Sequence, residues 1–273
     1  MAINLDSIHA GIALATLSLL LLYVLRYRNH PAEVFSPIAA WLRAFIYFGC
    51  CFLFAWLSGA TEAALATPFI PAAASSSRYW LPLTAALLVF VLIAYWGIWA
   101  KWTLRFGRKL DIPAQLLFGL CWGVSYPLCF LGFWHMSANI GPQWPTWAVF
   151  LLAYSLISVW QYLWQDLYWD VYIAPEHDTA WTIKWKVPCT HIPNVTLCLI
   201  YFVVYDAYWI FIALQALALT GCSIAMRMPA PWSKEITPPA KRHPFVFGLV
   251  HGGGYVAEDP ENDPHLKAIG APY

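Results

Sequence analysis

Residues 192–226 read IPNVTLCLIYFVVYDAYWIFIALQALALTGCSIAM, an apolar run that contains a single charged side chain, Asp206. About twenty apolar residues cross the hydrocarbon core of a bilayer, so one unbroken helix of this length is too long for a single crossing. The polar break YDAY at residues 205–208 therefore predicts two membrane helices that fold back on each other at Asp206.

Five other apolar segments have the length of a membrane span. Hydrophobic residues make up 61% of the chain and charged residues only 11%, whereas soluble domains are apolar over about half of their residues. The sequence predicts an all-α fold, a polytopic membrane helix bundle of about seven transmembrane helices. The five earlier helices are predicted at Ile8–Leu25, Pro37–Leu57, Tyr79–Trp99, Ala114–Met136 and Thr146–Tyr168.

The basic residues occupy alternate loops of this arrangement. Cytoplasmic loops of membrane proteins carry an excess of Lys and Arg, which predicts an N-terminus outside and a C-terminus in the cytoplasm. Residues 1–228 then form the transmembrane domain, and residues 229–273 form a polar cytoplasmic tail rich in Pro and Gly. The basic residues on the predicted cytoplasmic side include Arg26, Arg28, Lys101, Arg105, Arg108, Lys109, Lys184, Lys186, Arg227 and Lys234.

Composition excludes several classes of function. A net charge of +1 gives no electrostatic basis for binding nucleic acid. The last predicted helix has no Lys for a retinal Schiff base, and the seven cysteines form no CxxC pair, which favours small buried thiols over a metal site. The expected partners are the lipid bilayer and a hydrophobic small molecule, and protein partners stay open.

Ionisable residues cluster between the fifth and sixth predicted helices, in the stretch WQYLWQDLYWDVYIAPEHDTAWTIKWKVPCTHIPN at residues 160–194. Tyr162, Asp166 and Asp170 are spaced by four residues, so they share one face of a helix. Repulsion between two carboxylates in a dry cavity would keep a proton on one of them near neutral pH, as general acid catalysis requires. Trp164 and Trp169 would line the substrate cavity together with Tyr162.

Histidines and an amide extend this cluster. His177 follows the fifth helix, and His191 and Asn194 are predicted to open the sixth helix on the same side of the membrane. The predicted catalytic set is therefore Asp166, Asp170, His177, His191 and Asn194. The alternative is that both aspartates lie at the water interface and pair with Lys184 or Lys186.

A secondary candidate site lies on the predicted outer side. Glu62 follows the second helix, His135 ends the fourth, and Asp206 lies in the turn before the last helix. In placement alone, without a shared motif, this resembles small integral-membrane terpene cyclases. The alternative is that these three residues are ordinary interfacial groups.

These residues favour an integral membrane enzyme that acts on a lipophilic, isoprenoid- or polyketide-like substrate by carboxylate and histidine acid–base chemistry. Cyclisation, isomerisation and epoxide opening fit this description, and none of them is expected to need a cofactor. One alternative is a non-enzymatic accessory subunit or transporter. A second alternative is a diphosphate enzyme in which Asp166 and Asp170 hold Mg²⁺, since Mg²⁺ prefers carboxylate and phosphate oxygens.

Overall fold

The computed structural model describes residues 37–100, 109–168 and 180–234, together with residues 9, 11–12, 245–246 and 249–250. For residues 39, 161–168, 180–188 and 226, and for the two short strands, it describes the backbone alone. The predicted helix Ile8–Leu25 falls outside the described residues except at three positions.

The described part of the chain is a helical bundle. One antiparallel pair of two-residue strands, β1 (Phe245–Val246) and β2 (Leu249–Val250), follows it in the tail. A π-helical segment, Leu92–Trp99, directly continues the fourth α-helix. The α-helices are α1 (Pro37–Leu57), α2 (Ala60–Ala66), α3 (Ala72–Ser75), α4 (Trp80–Val91), α5 (Ile112–Ile140), α6 (Thr146–Tyr168), α7 (Ala180–Tyr205) and α8 (Tyr208–Met226).

Four helical stretches in the described residues are long and apolar enough to cross a membrane: Ala40–Leu57, Trp80–Trp99, Ile112–Ile140 and Tyr208–Ala225. Large apolar side chains also point away from the bundle, as Phe45 and Trp56 do on α1. Outward-facing residues of this kind are costly in water and favourable in lipid. The chain is therefore a helical membrane protein.

The predicted break at Asp206 is confirmed, because α7 ends at Tyr205 and α8 begins at Tyr208. Asp206 adopts a left-handed backbone conformation (φ 52°), which Asp tolerates better than most residues. The predicted start of the sixth helix at Ile192 is wrong, since α7 begins at Ala180. Proline misled the prediction: membrane helices tolerate it where neighbouring helices satisfy the freed backbone groups.

Helix α5 forms the centre of the bundle. Its span is 78% buried inside the protein, compared with 22% for Trp80–Trp99, and it packs against α1, α6 and α8. The side chain of Asp111 accepts a hydrogen bond from the backbone N–H of Ala114 and so caps the helix. Pro113 follows in the first turn, where its missing N–H costs nothing.

Two glycines bring α5 and α8 into backbone contact. A Cβ placed on Gly119 would lie 2.5 Å from the Cα of Thr220, and one on Gly123 would lie 2.5 Å from the Cα of Ala216. The pairing shows that the two helices run antiparallel. Small residues four apart on both helices form the close-packing pattern that drives helix association in membranes.

Two other glycines accept aromatic rings from neighbouring elements. The ring of Phe54 on α1 covers Gly132 of α5, where a Cβ would lie 2.7 Å from the ring. The indole of Trp96 on the π-helical segment covers Gly221 of α8 and donates a hydrogen bond to the Leu217 carbonyl at 3.0 Å. Glycine contacts thus fix α1, α8 and the π-helical segment around α5.

We expect Gly119→Ala and Gly123→Ala each to destabilise the protein by about 1–3 kcal/mol, because the new methyl group meets backbone that cannot rotate away. Gly49→Ala is the matched control, since a Cβ on Gly49 of α1 meets nothing within 4 Å. Thermal unfolding in detergent measures all three variants. Equal stability of the three variants would contradict the close contact between α5 and α8.

Candidate functional site

The strongest candidate site is a buried polar network that joins α7, α8 and the π-helical segment. Its first link is a hydrogen bond of 2.8 Å between the hydroxyl of Tyr95 and Nδ1 of His191. Tyr95 is fully buried at 1% exposure, and His191 is half-buried. A phenol and an imidazole at this distance can pass a proton between them.

Two amides form the second link of the network. Nδ2 of Asn194 donates to Oε1 of Gln215 at 2.8 Å, and the thiol of Cys198 donates to Oδ1 of Asn194 at 3.4 Å. Asn194 lies three residues beyond His191 on α7, so the two links lie on the same face of that helix. Gln215 lies near the middle of the span Tyr208–Ala225, so this part of the network is deep in the membrane.

Secondary structure explains how Tyr95 reaches His191. A π-helix turns less per residue than an α-helix, so side chains after Leu92 are rotated relative to a continued α4. Trp96 faces α8 and bonds to Leu217, while Tyr95 and Trp99 face α7. The rings of Tyr95 and Trp99 meet the His191 ring edge to face, at centroid distances of 5.2 and 6.3 Å.

His191 and Asn194 lie well inside α7 and not at its start, so the predicted location at a helix entrance is wrong. The hydroxyl groups of Tyr154 on α6 and Thr196 on α7 are 2.7 Å apart, which fixes the relative level of these helices. If the two run antiparallel, as consecutive spans do, Asp166 lies about two helical turns beyond the level of His191, toward the end of α6. On this arrangement, His191 and Asp166 would lie at different levels of the bundle.

The other members of the predicted catalytic cluster fall outside what is described. Asp166, Tyr162 and Trp164 are on α6, where only the backbone is described. Trp169, Asp170 and His177 lie outside the described residues. Their grouping with His191 and Asn194 stays a prediction. The described residues contain no group of three or more His, Cys, Asp or Glu side chains placed to hold a metal ion.

The secondary candidate site is brought together in part. Nε2 of His135 and the hydroxyl of Tyr208 form a hydrogen bond of 2.9 Å, and Tyr208 is two residues beyond Asp206. Glu62 is exposed on α2, and no hydrogen bond in the described part of the chain joins it to these residues. The secondary candidate site therefore holds a His–Tyr pair beside the Asp206 carboxylate, with Glu62 apart from it.

Sequence reasoning did not identify Tyr95, Gln215 or Tyr208. Gln215 carried a usable signal, because a carboxamide in an apolar membrane span is costly and needs a partner. Tyr95 and Tyr208 carried no such signal in the sequence, since each is one of fifteen tyrosines in a chain rich in aromatic residues. Only the packing of the helices separates these two tyrosines from the rest.

Comparison with protein-family models, with curated proteins and with solved structures gives no match for this chain. The functional argument therefore depends on the chemistry of the residues that the fold brings together.

We expect Asn194→Leu and Gln215→Leu each to destabilise the protein by about 1–2 kcal/mol, since each leaves the other amide without its partner. The double variant should cost less than the sum of the two, because an apolar pair replaces a polar pair. Chemical unfolding in micelles measures the free energy of unfolding of wild type, the two single variants and the double variant. As a control, Gln215→Leu is combined with Thr84→Val, because the Thr84 hydroxyl bonds to Tyr201 and not to this amide pair. The effects of these two substitutions on the free energy of unfolding should add.

Proposed function

We propose that this chain is an integral membrane enzyme that acts on a lipophilic, isoprenoid- or polyketide-like molecule by acid–base chemistry. The observation that supports this most directly is the hydrogen bond of 2.8 Å between Tyr95 and His191 inside the bundle. Polar side chains deep in a membrane protein are costly, and they often mark functional sites.

The proposed reactions need only protons. In an isomerisation or cyclisation, the substrate gains a proton at one atom and loses one at another, so its composition is unchanged. In epoxide opening, a proton goes to the oxygen as the C–O bond breaks, and an alkene or water attacks the carbon. His191 would act as the base, Tyr95 would pass a proton to or from it, and no cofactor takes part.

The aromatic surroundings suit such a reaction. The rings of Tyr95 and Trp99 meet His191 edge to face. The face of an aromatic ring stabilises a positive charge, including one that develops on carbon during cyclisation. An apolar substrate would also reach this level directly from the lipid bilayer.

The carboxylates would complete the site. Asp166 is proposed as the acid and Asp170 as the partner that keeps it protonated. His177 is the alternative to His191 as the base, and Asn194 is a further polar group. Tyr162, Trp164 and Trp169 are proposed to line the cavity. The outer-side residues Glu62, His135 and Asp206 are the second candidate site for the same chemistry, with Tyr208 added because it bonds to His135.

One observation favours a non-enzymatic role, such as an accessory subunit of a membrane complex or a transporter. The Asn194–Gln215 pair is bonded within the chain, which is how polar residues hold membrane helices together. A Mg²⁺-dependent diphosphate enzyme is the other alternative, with Asp166 and Asp170 as ligands and turnover that depends on added Mg²⁺.

We expect Tyr95→Phe and His191→Gln to lower turnover by about 10²–10⁴-fold, because each removes one partner of the proton transfer. The purified protein would be given a polyprenyl epoxide and a conjugated polyene, and products would be separated by chromatography with mass detection. Isomerisation and cyclisation leave the mass unchanged, and hydrolysis adds one water.

Tyr201→Phe is the matched control for this experiment. It removes a tyrosine hydroxyl that bonds to Thr84 at 2.6 Å, away from the Tyr95–His191 pair, and should leave turnover unchanged. Full turnover by Tyr95→Phe and His191→Gln would show that this pair is not the catalytic group. Absence of turnover with both probes in every variant would favour the non-enzymatic role.

We also propose seven transmembrane helices, with the N-terminus outside and the C-terminus in the cytoplasm. The apolar helical stretches Thr146–Trp160 and Cys189–Tyr205 and the segment Ile8–Leu25 would join the four longer spans. With epitope tags on both ends in sealed right-side-out vesicles, external protease should remove only the N-terminal tag. Removal or protection of both tags would indicate an even number of crossings.

A further inference from the structure

The tail that follows the last helix contains an apolar hairpin that packs back onto the bundle. Strands β1 and β2 pair antiparallel, with Phe245 opposite Val250 and Val246 opposite Leu249. Two residues join the strands, and the second of them is Gly248, which suits a two-residue hairpin loop. Successive residues of a strand lie on alternate faces, so each face of this hairpin carries one of the two apolar pairs. Whichever face meets the bundle is therefore apolar.

The bundle helix next to this hairpin is α6, against which β2 packs. Lipid-exposed edges of a sheet do not occur in the hydrocarbon of a bilayer, because their N–H and C=O groups would have no hydrogen-bond partners there. The segment 235–244 that leads to β1 also includes Lys241 and Arg242, whose charges are costly inside a bilayer. The hairpin therefore meets α6 outside the hydrocarbon layer, at one end of the helix.

Helix packing identifies that end as the last turns of α6. Trp41 meets Phe118 near the starts of α1 and α5, at a ring-centroid distance of 5.2 Å. Phe54 meets Phe133 further along both helices at 5.0 Å, so α1 and α5 run parallel. The short loop after α5 reverses the chain, and α6 consequently ends where α1 and α5 begin. The tail starts at this same end, since the indole of Trp41 donates to the carbonyl of Pro229 at 2.8 Å.

Asp166 belongs to these last turns, two residues before α6 ends at Tyr168. The proposed function needs the carboxyl group of Asp166 to hold a proton near neutral pH. Exclusion of water favours the protonated form of a carboxyl group, whereas a carboxyl group in contact with the aqueous phase ionises. An acid at the end of a membrane helix therefore needs a cover, and an apolar hairpin packed against α6 is suited to supply it.

We propose that the β1–β2 hairpin covers the last turns of α6 and excludes water from the position of Asp166. This inference rests on the proposed function, in which Asp166 is the acid, and it makes the tail a part of the same site. The apolar hairpin lowers the local dielectric, so the carboxyl group keeps its proton until the substrate accepts it.

The test is labelling of carboxyl groups in the full-length protein in micelles with a water-soluble carbodiimide and an amine. Mass spectrometry of the peptides gives the rate for Asp166 relative to Glu62, which is exposed on α2. We expect Asp166 to react about tenfold more slowly than Glu62 in wild type, because the reagents arrive from water and need local opening of the cover. Leu249→Asn combined with Val250→Asn makes each hairpin face more polar and should raise the Asp166 rate about fivefold.

Val256→Asn is the matched control, because it makes the same change in the tail outside the two strands. It should alter the Asp166 rate by about twofold or less, and so should Leu249→Ile combined with Val250→Ile, which keeps both faces apolar. Thermal unfolding in the same micelles shows whether each variant remains folded. Labelling of Asp166 as fast as that of Glu62 in wild type, or a rate unchanged by the two asparagines, would overturn the inference.

Photo-crosslinking tests the contact itself and does not depend on a disruptive variant. Val250→p-benzoylphenylalanine should crosslink to the part of α6 at residues 161–168, and crosslinks to other helices alone would also overturn the inference. Turnover separates this outcome from failure of the proposed function. Faster labelling of Asp166 with unchanged turnover supports the hairpin cover and excludes Asp166 as the acid, whereas faster labelling with lower turnover supports both.

Discussion

The backbone contact between α5 and α8 is the constraint on which the rest of the bundle depends. Lipid is as apolar as the helix surfaces, so burial of apolar area gives little drive for helices to associate inside a membrane. Close van der Waals contact has to supply that drive, and it needs residues without bulk. Gly119 and Gly123 on α5 meet Thr220 and Ala216 on α8 at this contact, and it holds α8 at one level and one rotation.

The candidate site follows from the position of α8. With α8 fixed, Gln215 points toward α7 and bonds to Asn194, while Gly221 leaves room for the ring of Trp96. Trp96 holds the π-helical segment against α8, and the altered turn of that segment brings Tyr95 to His191. The site is thus assembled from three elements, and each is held by one small residue or one amide.

Charge and polarity are distributed in different ways along the membrane normal. The described polar network inside the bundle consists of groups that are neutral or become charged only transiently: a phenol, an imidazole, two amides and a thiol. The described groups that carry a full charge lie near the ends of spans, as Asp111, Asp206 and Arg227 do. This separation is expected because a permanent charge at the bilayer centre costs far more than a neutral polar group. It also makes proton transfer between neutral groups a suitable chemistry for the interior of the bundle.

The sequence by itself determined the class of fold and several helix bounds. Long apolar runs indicate membrane spans, and an aspartate within such a run indicates a helix break. The helices Pro37–Leu57 and Thr146–Tyr168 and the turn at Asp206 were therefore predicted correctly. It also identified His191 and Asn194 as residues that need an explanation. It misplaced them at a helix entrance, because the prolines of α7 resemble a helix start when no neighbouring helix is considered. Only the tertiary structure decided that Tyr95 meets His191 and that Gln215 meets Asn194. These contacts join residues far apart in sequence, and they depend on helix rotation and on a π-helical turn, which no local pattern encodes.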